Sequence, residues 1–185
     1  MGRVLLGVVV GLVLAPLAVL GWLEFGKVPV AVADRPLPQE RLLTSRALNA
    51  RIDRELVKTP PFAADEANLV AGAEVYHDQC AVCHGLHGKP SAIGAHMFPD
   101  APPLWDVHHH GSEAVMGVTD DPPGETYWKV ANGIRLSGMP SYKAVLTETE
   151  MWQVSLLLAN ADKPLPPAAL DILLGVSAPA VAKKK

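Results

Sequence analysis

The most apolar stretch of the chain lies at its N-terminus. Val4 to Leu23 is a run of 20 residues without a charged side chain. A helix of that length rises about 30 Å, enough to cross the hydrocarbon core of a bilayer. We therefore predict a membrane anchor over residues 1–27. A cleaved signal peptide is the alternative, because Ala31-Val32-Ala33 offers a small-residue cleavage pattern, but the apolar run is longer than an ordinary signal-peptide core.

A weaker apolar pattern follows, within a predicted linker over residues 28–64. Leu48, Ile52 and Leu56 recur at a spacing of four among charged residues, which predicts an amphipathic helix over about 39–58. We interpret this helix as a packed spacer or docking element. The alternative is a surface helix that rests on anionic lipid headgroups, as basic amphipathic helices beside an anchor can.

Residues 65–162 carry the remaining helical patterns. A helix is predicted over about 65–79, a short one over about 125–131, and a last one after the capping-box pattern at 147–150. The segment between the first two is rich in Gly, Pro and His and has no clear periodicity. The predicted fold class is mainly α. The tail over 163–185, rich in Pro and Ala, is expected to be flexible.

Both cysteines of the chain lie in one short motif, Cys80-Ala81-Val82-Cys83-His84. If this motif lies at the end of a helix, residues 80, 83 and 84 project from one face. One flat macrocycle can then receive two thioether bonds and one axial nitrogen from a single turn. The C-x-x-C-H pattern is typical of covalent c-type haem attachment, with Cys80 and Cys83 as the anchors and His84 as an iron ligand.

Other chemistries of paired cysteines fit the sequence less well. A thioredoxin-like redox motif requires a surrounding alternation of strands and helices, which the patterns do not predict. A zinc site made of both cysteines and two of the seven histidines lacks the usual finger spacing. A disulfide across two intervening residues closes a very short loop and stabilises little.

The motif and its flanks resemble a class I monohaem cytochrome c of the membrane-anchored bacterial type. The resemblance covers roughly residues 65 to 161 and is carried by Asn68-Leu69-Val70-Ala71-Gly72-Ala73-Glu74-Val75-Tyr76, by Asn132-Gly133-Ile134-Arg135-Leu136-Ser137-Gly138-Met139-Pro140, and by Met151-Trp152-Gln153-Val154. It implies a cytochrome c-like haem domain over 65–162, in which the last helix packs across the first and one haem c is covalently bound. It also implies a bacterial inner-membrane protein with its haem domain in the periplasm.

The resemblance makes Met139, between Gly138 and Pro140, the predicted second axial ligand of the iron. Met97 and Met116 are interpreted as packing residues. A histidine ligand in place of Met139 stays open, because six histidines besides His84 lie between residues 77 and 110. His108-His109-His110 is interpreted as a solvated cluster, with a metal site as the alternative.

The resemblance further implies that a proline carbonyl accepts the free hydrogen bond of the haem-binding imidazole. The segment Pro102-Pro103-Leu104 offers the candidates. The sequence does not distinguish between its two prolines.

An iron with both axial positions filled has no open site for a substrate, so we expect an electron carrier rather than an enzyme. Between Pro60 and Asn160 the chain has four Lys or Arg and twelve Asp or Glu, a formal charge of −8. An acidic domain predicts a redox partner with a basic docking surface, and nothing indicates nucleic-acid binding. The alternatives are a haem subunit of a larger respiratory or dehydrogenase complex, and an open-site haem enzyme or gas sensor.

Overall fold

The structure is a computed structural model that describes residues 1–110 and 112–176, apart from the side chain of His110. Within these residues it has seven α-helices and one antiparallel hairpin. The helices are α1 (Gly2–Phe25), α2 (Glu40–Glu55), α3 (Glu66–Val75), α4 (Ala81–His84), α5 (Pro123–Asn132), α6 (Glu148–Leu158) and α7 (Pro167–Leu173), and the strands are β1 (Val107–His110) and β2 (Glu113–Met116). The predicted mainly α fold class is confirmed.

The chain divides into two compact units, residues 1–40 and residues from Arg41 onward. The first unit contains α1, a continuous helix of 24 residues that includes Pro16 and has no buried residue. By length and composition α1 can cross a membrane, although a signal sequence near an N-terminus meets the same criteria. The helix fits the predicted anchor.

The core of the second unit is built where α3 and α6 pack across each other. Gly72 allows the close approach, because a Cβ atom there would overlap the backbone of Gln153. The Gln153 side chain also donates to the Asn68 side chain at 3.0 Å. Ala73, Val154 and several neighbours are completely buried around this crossing. The last helix of the resembling segment, α6, therefore packs across the first, α3, as the resemblance implied. Helix α6 also begins with the predicted capping box.

Helix α2 belongs to the second unit and contacts the rest of it near both of its ends. Arg41 forms an ion pair with Asp100 at 3.1 Å, and near the other end Ile52 is only 2 % exposed. The carboxylate of Glu55 accepts a hydrogen bond from the Trp128 indole at 2.9 Å. The predicted helix is confirmed, and it packs on the domain.

Helix α7 contradicts the flexible tail predicted over 163–185. Its apolar face is buried, with Ala169 and Leu173 fully covered, and it packs against α3. The prolines that indicated an irregular tail stand at Pro166 and Pro167, the N-cap and first position of the helix, where proline is favoured. Residues 177–185 lie outside the described part of the chain.

The hairpin β1–β2 was not predicted. It pairs Val107 with Met116 and His109 with Ala114, and Val115 turns its side chain into the protein. Three consecutive histidines give no alternation of apolar and polar positions, so the period-2 signal of a strand is missing from β1.

Candidate haem site

The C-x-x-C-H motif lies at the end of a helix, as predicted, but the helix is not regular. After α3 the chain makes a π-helical turn, Tyr76–Cys80, and then continues as α4 to His84. Gly85 ends α4 with a φ of +77°, a conformation that glycine adopts without strain. Such π-helical turns occur frequently at functional sites. All three motif side chains thus leave the chain within one turn of helix.

The imidazole of His84 is held by a backbone carbonyl. Its Nδ1 donates to the Pro102 oxygen at 2.8 Å, which leaves Nε2 with a free lone pair. Burial lowers the pKa of His84, and the bond to Pro102 only partly opposes this shift. A neutral, oriented imidazole is the form that binds metals. Of the two candidate prolines, Pro102 is therefore the one that contacts the histidine.

Both cysteines of the motif are free and partly buried. Burial, with a further contribution from neighbouring Cys83, raises the pKa of the Cys80 thiol to about 12. Cys80 packs against the apolar core. Within the described residues, no group of three or more His, Cys, Asp or Glu side chains could hold a metal ion.

A buried aromatic pair lies beside the motif. The Tyr76 hydroxyl donates to the Gly85 carbonyl at 2.7 Å, and its ring meets Trp105 edge to face with centroids 5.5 Å apart. Burial raises the pKa of Tyr76, and the nearby Trp105 indole opposes that rise without reaching hydrogen-bond geometry.

The Trp105 indole supplies a test of whether a haem fits here. Its Nε1 is buried and has no hydrogen-bond partner in the described structure, and an unsatisfied buried donor costs roughly 1–3 kcal/mol. A haem would carry two propionate carboxylates, and either of them could accept a hydrogen bond from this indole. The residues present fit the group. Sequence analysis missed Trp105, although its place directly after Pro102-Pro103-Leu104 was a signal.

Met139 lies in a loop that begins where α5 ends. Its backbone N–H donates to the Ser137 hydroxyl at 3.2 Å, and its carbonyl accepts from the Ile134 N–H at 3.2 Å. Gly133, with a φ of +67°, lies directly against the backbone of this loop, where a Cβ atom would be 2.9 Å from the Met139 oxygen. Met139 is partly buried against the apolar core.

Tyr142 links the two halves of the site. Its hydroxyl donates to the Gln79 carbonyl, next to Cys80, at 2.8 Å, and its backbone N–H donates to the Val130 carbonyl of α5 at 3.0 Å. Burial raises the pKa of Tyr142 to about 12, so it remains a neutral hydrogen-bond donor at physiological pH. The structure thus brings the segment after Met139 up to the attachment motif.

The other methionines and histidines occupy different positions. Met116 packs against the core from β2, in agreement with a packing role. Met97 reaches the Met139 loop, where its side chain lies against Gly138. His87 packs beside Trp105, with ring centroids 6.0 Å apart. His96 bonds the Ala92 carbonyl at 2.8 Å.

One comparison with known proteins found a matching family. Residues 67–156 match the family described as cytochrome C oxidase, cbb3-type, subunit III. No curated protein and no solved structure matches the chain. The matched segment runs from α3 into α6 and includes the whole C-x-x-C-H motif. It is therefore a monohaem c-type cytochrome domain, an electron-transfer module with one covalently bound haem c.

Proposed function

We propose that the protein is a membrane-anchored one-electron carrier whose haem is joined to Cys80 and Cys83 by thioether bonds and ligated by His84 and Met139. The hydrogen bond between His84 and Pro102 carries this proposal, because it presents the second imidazole nitrogen as a ligand beside two free thiols. When bound, the haem supplies one-electron chemistry, its iron alternating between the ferric and ferrous states.

The residues of the site have different proposed roles. Cys80, at the end of the π-helical turn, and Cys83, in α4, would hold the cofactor, and Pro102 sets the tautomer and orientation of His84. A thioether at Met139 favours a higher reduction potential than a second nitrogen ligand does. If His84 and Met139 both held the iron, they would leave no position on it for a substrate, which supports a carrier rather than an enzyme.

The location and partners follow from the anchor and from charge. We infer that α1 anchors the protein in the bacterial inner membrane and that the haem domain lies in the periplasm, the side on which haem c is attached in the family. The formal charge of −8 between Pro60 and Asn160 favours a redox partner with a basic docking surface, chiefly through faster association at low salt.

A second candidate function is a haem subunit of a larger respiratory or dehydrogenase complex. The description of the matching family as a subunit of a cytochrome c oxidase favours it. Extraction in mild detergent followed by a native gel stained for haem separates the two candidates. A tethered carrier migrates alone, whereas a subunit migrates with its complex.

An optical experiment tests the ligands. We expect a c-type spectrum in the reduced protein and a near-infrared sulfur-to-iron charge-transfer band in the oxidised protein. Met139→Leu should abolish the band and open the reduced iron to carbon monoxide. The matched control is Met116→Leu, the same change at a methionine in β2, which should keep the band.

Two outcomes would contradict the proposal. A band that persists in Met139→Leu would remove Met139 from the iron, and carbon monoxide binding to the reduced wild type would favour an open-site haem enzyme or gas sensor.

A further inference from the structure

Met97 contacts the loop of the proposed axial ligand at the residue directly before it. Resting on the proposed ligation by Met139, we propose that Met97 is a positioning residue that holds the Met139 loop against the haem-attachment segment. This role differs from the packing role that the sequence suggested. Three observations support it, concerning Gly138, the anchoring of Met97, and the rest of the loop.

The Met97 side chain lies directly beside the backbone of Gly138. The Gly138 backbone lies outside the left-handed region, so the conformation does not require glycine. A Cβ atom at Gly138 would overlap the Met97 Cε and lie 3.5 Å from its Sδ, and apart from the adjoining residues no other described atom lies within 4 Å of that point. Positions 97 and 138 therefore form a matched pair, in which the missing side chain of one makes room for the other.

Met97 itself is fixed to the attachment motif. It follows a 3-10 turn, Gly94–His96, and its N–H donates to the Gly94 carbonyl at 3.3 Å. Gly94 is buried directly against the Cys83 carbonyl, leaving no room for a Cβ atom. Ser91 completes the connection, because its hydroxyl donates to the Val82 carbonyl at 2.6 Å and accepts from the Gly94 N–H at 3.0 Å.

The Met139 loop is also held by bonds among its own residues and, three residues beyond Met139, by the Tyr142 hydroxyl, which donates to the Gln79 carbonyl at 2.8 Å. Ile134 and Ser137 bond to each other and to Met139, while Leu136 is 85 % exposed at its tip. Met97 is the side chain that approaches this loop at Gly138 from another part of the chain. Its loss would leave residue 138 free to shift, and a small displacement there moves the neighbouring sulfur away from its position.

The test compares Met97→Ala with Met97→Leu in the full-length haem protein in detergent. The readouts are the near-infrared charge-transfer band and the affinity of the oxidised protein for added imidazole, which competes with the axial sulfur. We expect Met97→Ala to weaken the band and to raise imidazole affinity on the order of tenfold, an ordinary size for coupling between contacting residues. Met97→Leu, which restores most of the volume, should stay near wild type. Met116→Ala serves as the control for loss of a methionine elsewhere.

A double-mutant cycle checks the pairing with Gly138. Gly138→Ala should raise imidazole affinity in the wild type, because the new methyl group displaces Met97, and should have less effect when Met97 is already alanine. Additive effects would overturn the proposed pairing.

Failure of this inference is distinct from failure of the ligand assignment. A wild type without the charge-transfer band overturns ligation by Met139 and the inference with it. A wild type that shows the band, with a Met97→Ala variant that binds imidazole as weakly as the wild type, overturns the inference alone.

Discussion

His84 and Met139 lie on segments that the protein holds in different ways. His84 ends a helix that continues from α3 through the π-helical turn, and its imidazole is bonded to the Pro102 carbonyl. Met139 lies in a loop between α5 and α6, held by bonds within the loop, by the bond from the Tyr142 hydroxyl to the Gln79 carbonyl, and by the Met97 side chain. His84 is thus positioned by a helix and a hydrogen bond, and Met139 by a loop and a few side-chain contacts. Substitutions at His84 and at Met139 should therefore affect the protein in different ways.

Replacement of His84 by alanine should have the largest effect. It removes the proposed iron ligand from the end of α4, next to the cysteines, so we expect the haem content of the purified protein to fall to background. Haem is measured by its reduced spectrum in pyridine and helix content by circular dichroism.

His96→Ala is the matched control for this change. Like His84, His96 places its Nδ1 2.8 Å from a backbone carbonyl, that of Ala92, but it lies outside the attachment motif. It should keep its haem. Full haem content in the His84→Ala variant would contradict the proposed role of His84 in holding the haem.

Met139→His should have the next largest effect and should leave the fold in place. We expect a six-coordinate haem with a midpoint potential lower on the order of 0.2 V, well within the roughly 0.8 V over which axial ligands set haem potentials. A redox titration followed optically measures it. If the midpoint stayed at the wild-type value, Met139 would not be a ligand.

Trp105→Phe tests the indole donor with a smaller change. Phenylalanine keeps an aromatic ring against Tyr76 and removes the Nε1–H that lacks a partner in the described structure. If that N–H serves a haem propionate, its loss leaves more negative charge near the iron and lowers the midpoint potential modestly, with the charge-transfer band retained. A potential equal to that of the wild type would assign Trp105 a packing role only.

Glu55→Gln, remote from both axial positions, should have the smallest effect and should leave the spectrum unchanged. The hydrogen bond from Trp128 lowers the pKa of Glu55, burial opposes this, and Arg51 adds to it. A carboxylate with a lowered pKa contributes stability above its unfolded-state pKa and loses it as the pH falls through the folded-state pKa.

Thermal unfolding of wild type and Glu55→Gln along an acid titration tests this. The wild type should be slightly more stable at neutral pH, and the difference should disappear toward acid pH. A difference that grew as the pH fell would contradict the proposed role of the carboxylate in docking α2.

Much of this arrangement was predictable because it depends on local sequence. Residue spacing indicated α1 and α2, and the capping box at Thr147 and Glu150 marked the start of α6. The C-x-x-C-H motif indicated the cofactor. Each of these signals lies within a few turns of the chain, where periodicity and capping chemistry act directly.

The features that were missed depend on contacts between distant segments. The π-helical turn at Tyr76–Cys80 does not change the spacing of apolar residues from which a helix is predicted. The approach of Met97 to Gly138, and the choice of Pro102 as the partner of His84, are set by how two loops fold around the site. Neither spacing nor composition encodes such contacts.

The packing of α7 extends the core beyond the segment that matches the family. The family match ends at residue 156, yet Ala169 and Leu173 complete the core, and Lys89 donates to the Leu174 carbonyl at 2.9 Å. A soluble fragment cut at residue 162 would expose the apolar surface of α3 and invite aggregation. A fragment for crystallisation or for electrode studies should therefore extend at least to residue 176.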